Sequence, residues 1–139
     1  MSYAYALIRI CDPYREPNVL AGIYFNEKDA GDALEEYYDY ISQTRHCQES
    51  SLDIIKIPSS IGEPISNHVY ILNSCTEICG QIYEYPEFVT DNLENLSIFV
   101  SNHPKKNRFE WFYVTLKPKT FYYHNMTITG FIKPTSQGL

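Results

Sequence analysis

One segment constrains the fold of this chain more than any other, because it joins a short strand, a helix cap and an amphipathic helix. Residues 22–25 (Gly-Ile-Tyr-Phe) are small, β-branched or aromatic, which favours a strand. Asn26 follows, and its side chain can accept hydrogen bonds from the free N–H groups of a helix start. Apolar side chains then recur at helical spacing, at Ala30, Ala33, Leu34, Tyr37 and Ile41. The segment predicts a helix over residues 27–44 with one buried stripe.

The opposite side of this predicted helix is acidic and rich in tyrosine. Its members are Glu27, Asp29, Asp32, Glu35, Glu36 and Asp39, with Tyr37, Tyr38 and Tyr40 among them. Two interpretations stay open. A run of charges is usually a solvated helix face, but an acidic face can also bind a basic partner. In the second case, the contact residues are expected to be Glu35, Glu36, Tyr38, Asp39 and Tyr40.

A second copy of this plan is predicted at residues 81–102. The matching pairs are Ile23/Ile82, Tyr24/Tyr83, Leu34/Leu93 and Glu35/Glu94, and all four pairs have the same separation in the sequence. A repeat of this length determines the architecture of a chain. Asp91 and Glu94 have the spacing of a capping box. The predicted apolar stripe of the second helix is Leu93, Leu96, Phe99 and Val100.

The remaining elements complete two halves of the same plan. The first half, residues 1–58, has predicted strands at 3–10, 19–25 and 52–57, and Pro58 is predicted to end the third. Residues 59–67 are predicted to form a linker. The second half, residues 68–118, has predicted strands at 68–72, 80–85 and 109–116, a helix at 91–102, and loops at 73–79 and from Pro86. Residues 119–139 are a tail with strand-like segments at 120–124 and 126–133, which could form either a terminal hairpin or one bent strand with Gly130 as a bulge.

These elements predict an α+β fold of two tandem ββαβ repeats in one compact domain. A hairpin followed by a helical crossover returns the third strand beside the first, in the order 2-1-3 with the helix on one face. Such a small sheet with one bare face is marginal alone. We therefore expect the two sheets to join edge to edge or face to face, with the tail covering an edge. The predicted core is Ile8, Ile23, Leu34, Ile55, Ile71, Ile82, Leu96 and Val114.

The composition is that of an acidic globular protein. The chain has 139 residues, of which 44% are hydrophobic, and a net charge of −6. Nonspecific nucleic-acid binding is disfavoured, because it requires a basic surface. The sequence shows neither a membrane-length apolar run nor a signal peptide, so we expect a protein of the cytoplasm of the producing or infected cell, without a membrane partner. The 13 tyrosines are compatible with a protein interface or a homo-oligomer.

The four cysteines are expected to be free thiols. They are Cys11, Cys47, Cys75 and Cys79. A cytosolic chain keeps its thiols reduced, and the Cys75–Cys79 spacing is one residue longer than that of a zinc knuckle. His46 and Cys47 could complete a zinc site only by lying nearby. The sequence therefore predicts neither a metal nor a cofactor.

Catalytic motifs are missing from the sequence. It has no glycine-rich phosphate loop and no Gly-x-Ser-x-Gly elbow. The one conceivable catalytic set combines His68 and His124 with Asp53, and a lone histidine is more often structural. The only basic cluster is His103, Lys105, Lys106 and Arg108, which is either a solvated loop or a contact for a phosphate group.

The first half resembles small uncharacterised proteins of bacteria and their phages. The shared pattern is a strand, a Gly-x-Tyr, a polar cap and a helix that begins Glu-x-x-Ala. Here Gly22 and Tyr24 carry the first motif, and Glu27 and Ala30 carry the second. The resemblance covers about 55 residues, which is most of the first half of the chain. It implies a phage or mobile-element origin and attaches no activity.

The leading hypothesis is therefore a non-catalytic interaction protein. It would be a phage-encoded inhibitor or accessory factor that binds a host or bacterial protein through the acidic, tyrosine-rich helix face. One alternative is a small-molecule or nucleotide binder that holds its ligand between the two halves. Another is a small hydrolase that uses a histidine and a carboxylate.

Overall fold

The computed structural model describes residues 2–10, 19–44, 51–62, 67–122 and 127–134. Within them lie seven strands and two helices: β1 Ser2–Ile10, β2 Val19–Tyr24, α1 Glu27–Thr44, β3 Ser51–Ser59, β4 Val69–Ile78, β5 Gln81–Thr90, α2 Leu93–Asn102, β6 Glu110–Leu116 and β7 Gly130–Ile132. The predicted α+β class is confirmed.

The seven strands form one sheet in the order β2-β1-β3-β5-β4-β6-β7. β1 pairs antiparallel with both β2 and β3, and β4 pairs antiparallel with both β5 and β6. The first three strands thus have the expected 2-1-3 order. β3 and β5 run parallel and join the two groups through the single pair Ser59–Val89.

The sheet curls so that one of its faces packs against itself. The core on this face, here called the inner core, draws residues from β1 to β6: Ala4, Ala6, Ile8, Leu20, Ile23, Ile57, Val69, Ile71, Val89, Phe112, Val114 and Leu116. Burying these side chains from water stabilises the curled form. The two groups of strands are therefore joined at an edge and also packed face to face.

The tail bridges the two ends of the curled sheet. The Lys119 N–H donates to the Ile23 carbonyl at 3.0 Å, and the Tyr122 N–H donates to the Ala21 carbonyl at 2.8 Å. The tail therefore covers the edge of β2, as expected. Gly22 permits this approach, since a Cβ there would lie 2.9 Å from the Thr120 carbonyl oxygen.

The other expectations for the tail are met in part. β7 (Gly130–Ile132) lies within the predicted segment 126–133, whereas residues 120–122 form no strand and residues 123–126 lie outside the described part. Gly130 begins β7 and is not a bulge. A Cβ at this position would lie 2.8 Å from the ring of Tyr113, so a larger residue would require that ring to move.

α1 begins as predicted, and Ala30, Ala33, Leu34 and Tyr37 of its predicted stripe pack on the sheet, while the side chain of Ile41 lies outside the described part. The Asn26 side chain accepts from the Asp29 N–H at 2.8 Å and donates back to the Asp29 carboxylate at 2.9 Å. The helix covers a second core on the outer face of the sheet: Leu7, Ala21, Tyr24, Ala30, Ala33, Tyr37 and Leu52. Tyr37 also stacks on Phe121 with ring centroids 5.2 Å apart, which ties the tail to the helix.

α2 packs as predicted but starts differently. Its buried residues are Leu96 and Val100, within a third core that also holds Leu72, Phe88 and Trp111. The cap is Asn92, whose side chain accepts from the Glu94 N–H at 2.9 Å. The predicted capping role of Asp91 is therefore wrong. Leu93 is the first helical residue and is 44% exposed, so it does not belong to the buried stripe.

The predicted loops at 73–79 and from Pro86 are wrong, because both segments belong to long strands. β4 continues to Ile78, and a two-residue turn at Cys79 and Gly80 leads into β5. Both turn residues have positive φ, at 54° and 81°, as a type I′ hairpin turn requires. Pro86 is tolerated because it sits beside a β-bulge, where the pairing shifts between Leu72 and Asn73.

Ile23 in β2 and Ile82 in β5, which the sequence matched to each other, occupy different positions in their strands. Ile23 is fully buried, whereas Ile82 is 46% exposed. The central strands instead pair Ala6 with Ile23 and Ile71 with Val89. On this basis the position equivalent to Ile23 is Val89, further along the chain than Ile82.

Most of the predicted core is confirmed. Ile8, Ile23, Ile71, Leu96 and Val114 are buried, Leu34 and Ile55 are half-buried against the cores, and only Ile82 is exposed. Pro58 does not end β3, because it pairs with Tyr3 inside the strand. Proline is compatible with this position since β3 pairs with β5 only at Ser59–Val89.

Candidate functional site

The outer side of α1 presents acidic and aromatic side chains to solvent. Glu35, Glu36, Tyr38 and Asp39 are all exposed, and we call these four residues the α1 acidic face. The structure thus brings together four of the five residues predicted to bind a partner. The side chain of the fifth, Tyr40, lies outside the described part. Tyr37 is buried under the helix and does not contribute to this surface.

The first turns of α1 use their charges locally. Asp29 belongs to the cap with Asn26. Lys28 and Asp32 form an exposed ion pair at 3.1 Å, and the hydrogen bond and charge of Asp32 raise the pKa of Lys28. Such a pair contributes little to stability. The acidic face begins one turn later, at Glu35 and Glu36.

Tyr38 is held in place while its ring remains available. Its hydroxyl accepts from the Leu52 N–H at 3.4 Å, and its ring meets Tyr37 edge-on at 6.1 Å. The side chain is nevertheless 42% exposed. A tyrosine that is ordered before binding loses little side-chain entropy in a complex, which is the property of an interface anchor.

The predicted basic loop is a compact turn after α2. The His103 Nδ1 accepts from the Lys105 N–H at 3.0 Å, and the imidazole lies 5.0 Å from the Trp111 ring. Lys106 donates from Nζ to the Ser101 carbonyl at 3.3 Å, and its own carbonyl accepts from the Trp111 indole at 3.0 Å. His103 and Lys106 therefore stabilise the turn, whereas Lys105 and Arg108 are exposed.

A groove of about 440 Å³ lies beside this turn. Its lining residues are Ser60, Phe88, Asn95, Ile98, Phe99, Asn102, His103 and Pro104. Ser60 follows β3, so the groove sits where the two groups of strands meet. Of the residues predicted to bind a ligand, the groove includes His103 but not Lys105, Lys106 or Arg108.

The floor of the groove is aromatic and mostly apolar. Phe88 and Phe99 stack almost parallel, with centroids 4.6 Å apart. Ser60 and Asn95 form a polar rim at one side of the groove. Both are fixed by the Thr90 hydroxyl, which accepts from Ser60 Oγ at 2.7 Å and from Asn95 Nδ2 at 3.0 Å. The groove could therefore hold a small apolar or aromatic molecule, with hydrogen-bonding groups at one side.

The conceivable catalytic set is not assembled. Asp53 lies near the start of β3, whereas His68 precedes β4, whose first residues lie near the end of β3. At about 3.3 Å per strand residue, the two are separated by roughly 20 Å. His124 lies outside the described residues.

Cys75 and Cys79 are free thiols, whereas Cys11, His46 and Cys47 lie outside the described part. No group of three or more His, Cys, Asp or Glu side chains in that part is arranged to hold a metal ion. Burial, followed by the charges of Glu84, Glu110 and Glu77, raises the pKa of the Cys75 thiol.

A protruding arm was not predicted from the sequence. β4 pairs with β6 only as far as Cys75, which pairs with Glu84 on β5, so residues 76–83 extend as a two-stranded hairpin. We call this hairpin, with the adjoining Glu84 and Tyr85, the β4–β5 arm. It exposes large apolar and aromatic side chains: Ile78 at 56%, Ile82 at 46%, Tyr83 at 39% and Tyr85 at 48%. The signal in the sequence was the alternation on both sides of Cys79-Gly80.

Charge is distributed unevenly around the arm. The sequence has no lysine or arginine between Lys56 and Lys105. In that interval Glu77, Glu84 and Glu87 lie on or beside the arm. Glu84 is half-buried, and desolvation raises the pKa of its carboxyl. The arm therefore exposes apolar and aromatic side chains together with carboxylates.

No protein-family model matches the chain, and comparisons with curated proteins and with solved structures gave no significant match. In the part of the chain that the structure describes, no helix is long and apolar enough to cross a membrane.

Proposed function

We propose that this chain is a non-catalytic interaction protein that binds a basic protein partner through the α1 acidic face. The observation that carries the proposal is the joint exposure of Glu35, Glu36, Asp39 and an ordered Tyr38 on one helix side. A negative surface of this kind steers a basic partner during encounter. A central aromatic side chain supplies the contact that slows dissociation.

The proposed partner is a host or bacterial protein in the cytoplasm of the producing or infected cell. The strand–cap–helix pattern at Gly22, Tyr24, Glu27 and Ala30 motivates this origin. A small protein that binds a host protein acts as an inhibitor or accessory factor. The acidic face then competes for a basic surface that the host protein uses for another ligand.

The test is affinity capture from bacterial lysate with tagged protein. Wild type is compared with the double variant Glu35→Lys/Glu36→Lys and with Tyr38→Ala. We expect both variants to lose the captured partner, because one reverses the steering charge and the other removes the aromatic anchor. Thermal unfolding checks that Tyr38→Ala, which also removes the bond from Leu52, still folds.

The matched control is Asp91→Lys/Glu94→Lys at the start of α2. Both residues are exposed, and the substitution changes the net charge as much as the α1 pair does. We expect this control to retain the partner. A partner that is captured equally by wild type and by the Glu35→Lys/Glu36→Lys variant would refute the proposed face.

We further propose that the two ββαβ units are tandem repeats of one ancestral unit. A β-bulge leaves Ala21 unpaired in β2, and another leaves Glu87 unpaired in β5. The helix caps Asn26 and Asn92 have the same separation in the sequence as these two bulge residues. Bulges are inherited features of a fold, so two equivalent bulges support a duplication.

The hydrogen bonds between the units support the same proposal. The Ser60 N–H donates to the Val89 carbonyl, and the Lys119 N–H donates to the Ile23 carbonyl, both at 3.0 Å. Each donor follows the third strand of one unit, and each acceptor lies in the second strand of the other. An experimental structure tests this. Residues 19–34 should superpose on 85–100 with the bulges aligned, and misaligned bulges would contradict the duplication.

A second candidate function is small-molecule binding in the groove beside α2. The stacked Phe88–Phe99 pair and the Asn95 and Asn102 amides favour a flat ligand with polar edges. Native mass spectrometry of freshly purified protein tests it. A retained mass that disappears in Phe99→Ala would support the groove, and a retained mass unchanged by that variant would place the ligand elsewhere.

A further inference from the structure

The β4–β5 arm has an unpaired backbone edge. β5 pairs with β3 only at Ser59–Val89. Along residues 81–87, the side of β5 that faces away from β4 has no partner strand among the described residues. Unpaired edges are templates for another chain, and proteins usually protect them with lysine, proline or a covering element. Here Pro86 and the bulge at Glu87 protect the base of the strand, whereas residues 81–85 contain neither lysine nor proline and have no partner strand on this side among the described residues.

The turn determines which backbone groups point outward. Ile78 and Gln81 flank the two-residue turn and form its closing pair, which is a hydrogen-bonded pair in a type I′ hairpin. Hydrogen-bonded and non-hydrogen-bonded pairs then alternate along the ladder. Ile82 and Glu84 therefore direct their N–H and C=O groups away from β4, and Tyr83 bonds to β4.

The two faces of the arm differ in chemistry. Directly paired residues share a face, and successive residues alternate. One face carries Ile78, Tyr83 and Tyr85, and the Tyr83 hydroxyl donates to Gln81 Oε1 on that face. The other face carries Glu77, Ile82 and Glu84. A strand added at this edge would thus meet aromatic side chains on one face and carboxylates on the other.

Charge selects the occupant of this edge. The face that carries Glu77 and Glu84 also lies near Glu110, because all three carboxylates act on the Cys75 thiol. A second copy of the chain, paired through the same edge, would place carboxylates near carboxylates, which is destabilising across strands. A basic strand would place its cations there instead. Those cations would also offset the cost of desolvating the Glu84 carboxylate.

We propose that the outer edge of β5 binds an extended basic segment of a partner protein as an added β-strand. Its lysine or arginine side chains lie beside Glu84 and extend across Ile82 towards Glu77, and its alternate apolar side chains pack against Tyr83 and Tyr85. Main-chain hydrogen bonds from Ile82 and Glu84 fix the segment, as in other strand-addition complexes. This surface is separate from the α1 acidic face, so each can be tested without the other.

The probe is a capped synthetic peptide that alternates lysine and valine, about seven residues long, the typical length of a strand. A glutamate–valine peptide is its matched control. We expect the lysine peptide alone to bind the intact protein, with an affinity that falls as salt increases. Hydrogen exchange by NMR should show slower exchange at the Ile82 and Glu84 amides. The Tyr83 and Tyr85 amides, already bonded to β4, should change little.

Backbone pairing is tested on the peptide and on the protein. Two N-methylated peptides are compared, one blocked at its valine amides and one at its lysine amides. Each lacks the backbone N–H donors along one edge of the peptide strand. At least one should bind about tenfold more weakly, because it loses two or more hydrogen bonds. The Ile82 N–H points outward and is not bonded to β4. Ile82→Pro removes this N–H and should weaken binding, whereas Ile82→Ala keeps it and should bind the peptide nearly as the wild type does.

Several results would overturn the proposal. One is equal binding of the lysine and glutamate peptides, or no binding of either. Another is undiminished binding of both N-methylated peptides to the wild-type protein. This experiment does not depend on the folding of any protein variant. A third is slower exchange confined to α1. Sedimentation that shows a dimer of the protein alone, lost in Ile82→Pro, would assign the edge to a second copy.

Discussion

Gly22 and Gly31 show how single residues in one chain can have opposite requirements. A Cβ at Gly22 would lie 2.9 Å from the Thr120 carbonyl, whereas a Cβ at Gly31 in α1 would meet nothing within 4 Å. We expect Gly22→Ala to reduce the free energy of unfolding by about 1–3 kcal/mol through overpacking. Gly31→Ala should raise it by about 0.4–1 kcal/mol. Denaturant unfolding measures both. Equal effects at the two sites would contradict the closure of the sheet by the tail.

Glu84 gives the arm a pH-dependent stability. Desolvation raises the pKa of its carboxyl above the ordinary 4.5, so the folded state holds this proton more tightly than the unfolded state. Its contribution to stability therefore falls as the pH rises above 4.5. We expect Glu84→Gln to raise the melting temperature at pH 7, and this gain should disappear below pH 4.5, where the carboxyl is protonated in both states.

The control for this experiment is Glu77→Gln, which removes the same charge at an exposed position on the facing strand. We expect it to change the melting temperature less than Glu84→Gln does. A melting temperature that falls in Glu84→Gln at neutral pH would show that the ionised carboxylate is stabilising.

At the scale of elements, α2 shows how the exact start of a helix decides which side chains are buried. Leu96 is fully buried, whereas Leu93, one turn earlier, is largely exposed. Leu96→Ala should cost about 2–5 kcal/mol because it leaves a cavity. Leu93→Ala should change stability by less than about 0.5 kcal/mol. Chemical denaturation of the two variants checks this, and comparable losses would mean that the helix face is wrongly assigned.

The sequence predicted elements well where local chemistry decided them. α1 and its Asn26 cap combine a capping side chain with a long apolar period, so both were predictable. The cap of α2 was not, because Asp91 and Asn92 are both good capping residues and only packing selects between them. The long β4–β5 hairpin was missed since Pro86 and the polar residues 73–79 resemble a loop. A bulge and an edge position make them compatible with strands.

At the scale of the whole molecule, the curled sheet could be foreseen only in part. Each group of strands has its first strand in the centre, which follows from a hairpin and a crossover. The single Ser59–Val89 junction and the bridge from the tail to β2 arise from contacts distant in sequence, which no local pattern encodes. For the same reason the α1 acidic face was predictable from helical spacing, but the groove beside α2 was not.

The most direct test of the proposed function is the association rate of the captured partner with wild type and with Glu35→Lys/Glu36→Lys at two salt concentrations. If the α1 acidic face steers the encounter, the variant should associate about tenfold more slowly at low salt. Its rate should also depend less on salt, because these charges act mainly on association. The Asp91→Lys/Glu94→Lys control should behave as wild type does. Equal association rates and equal salt dependence for all three proteins would contradict the account.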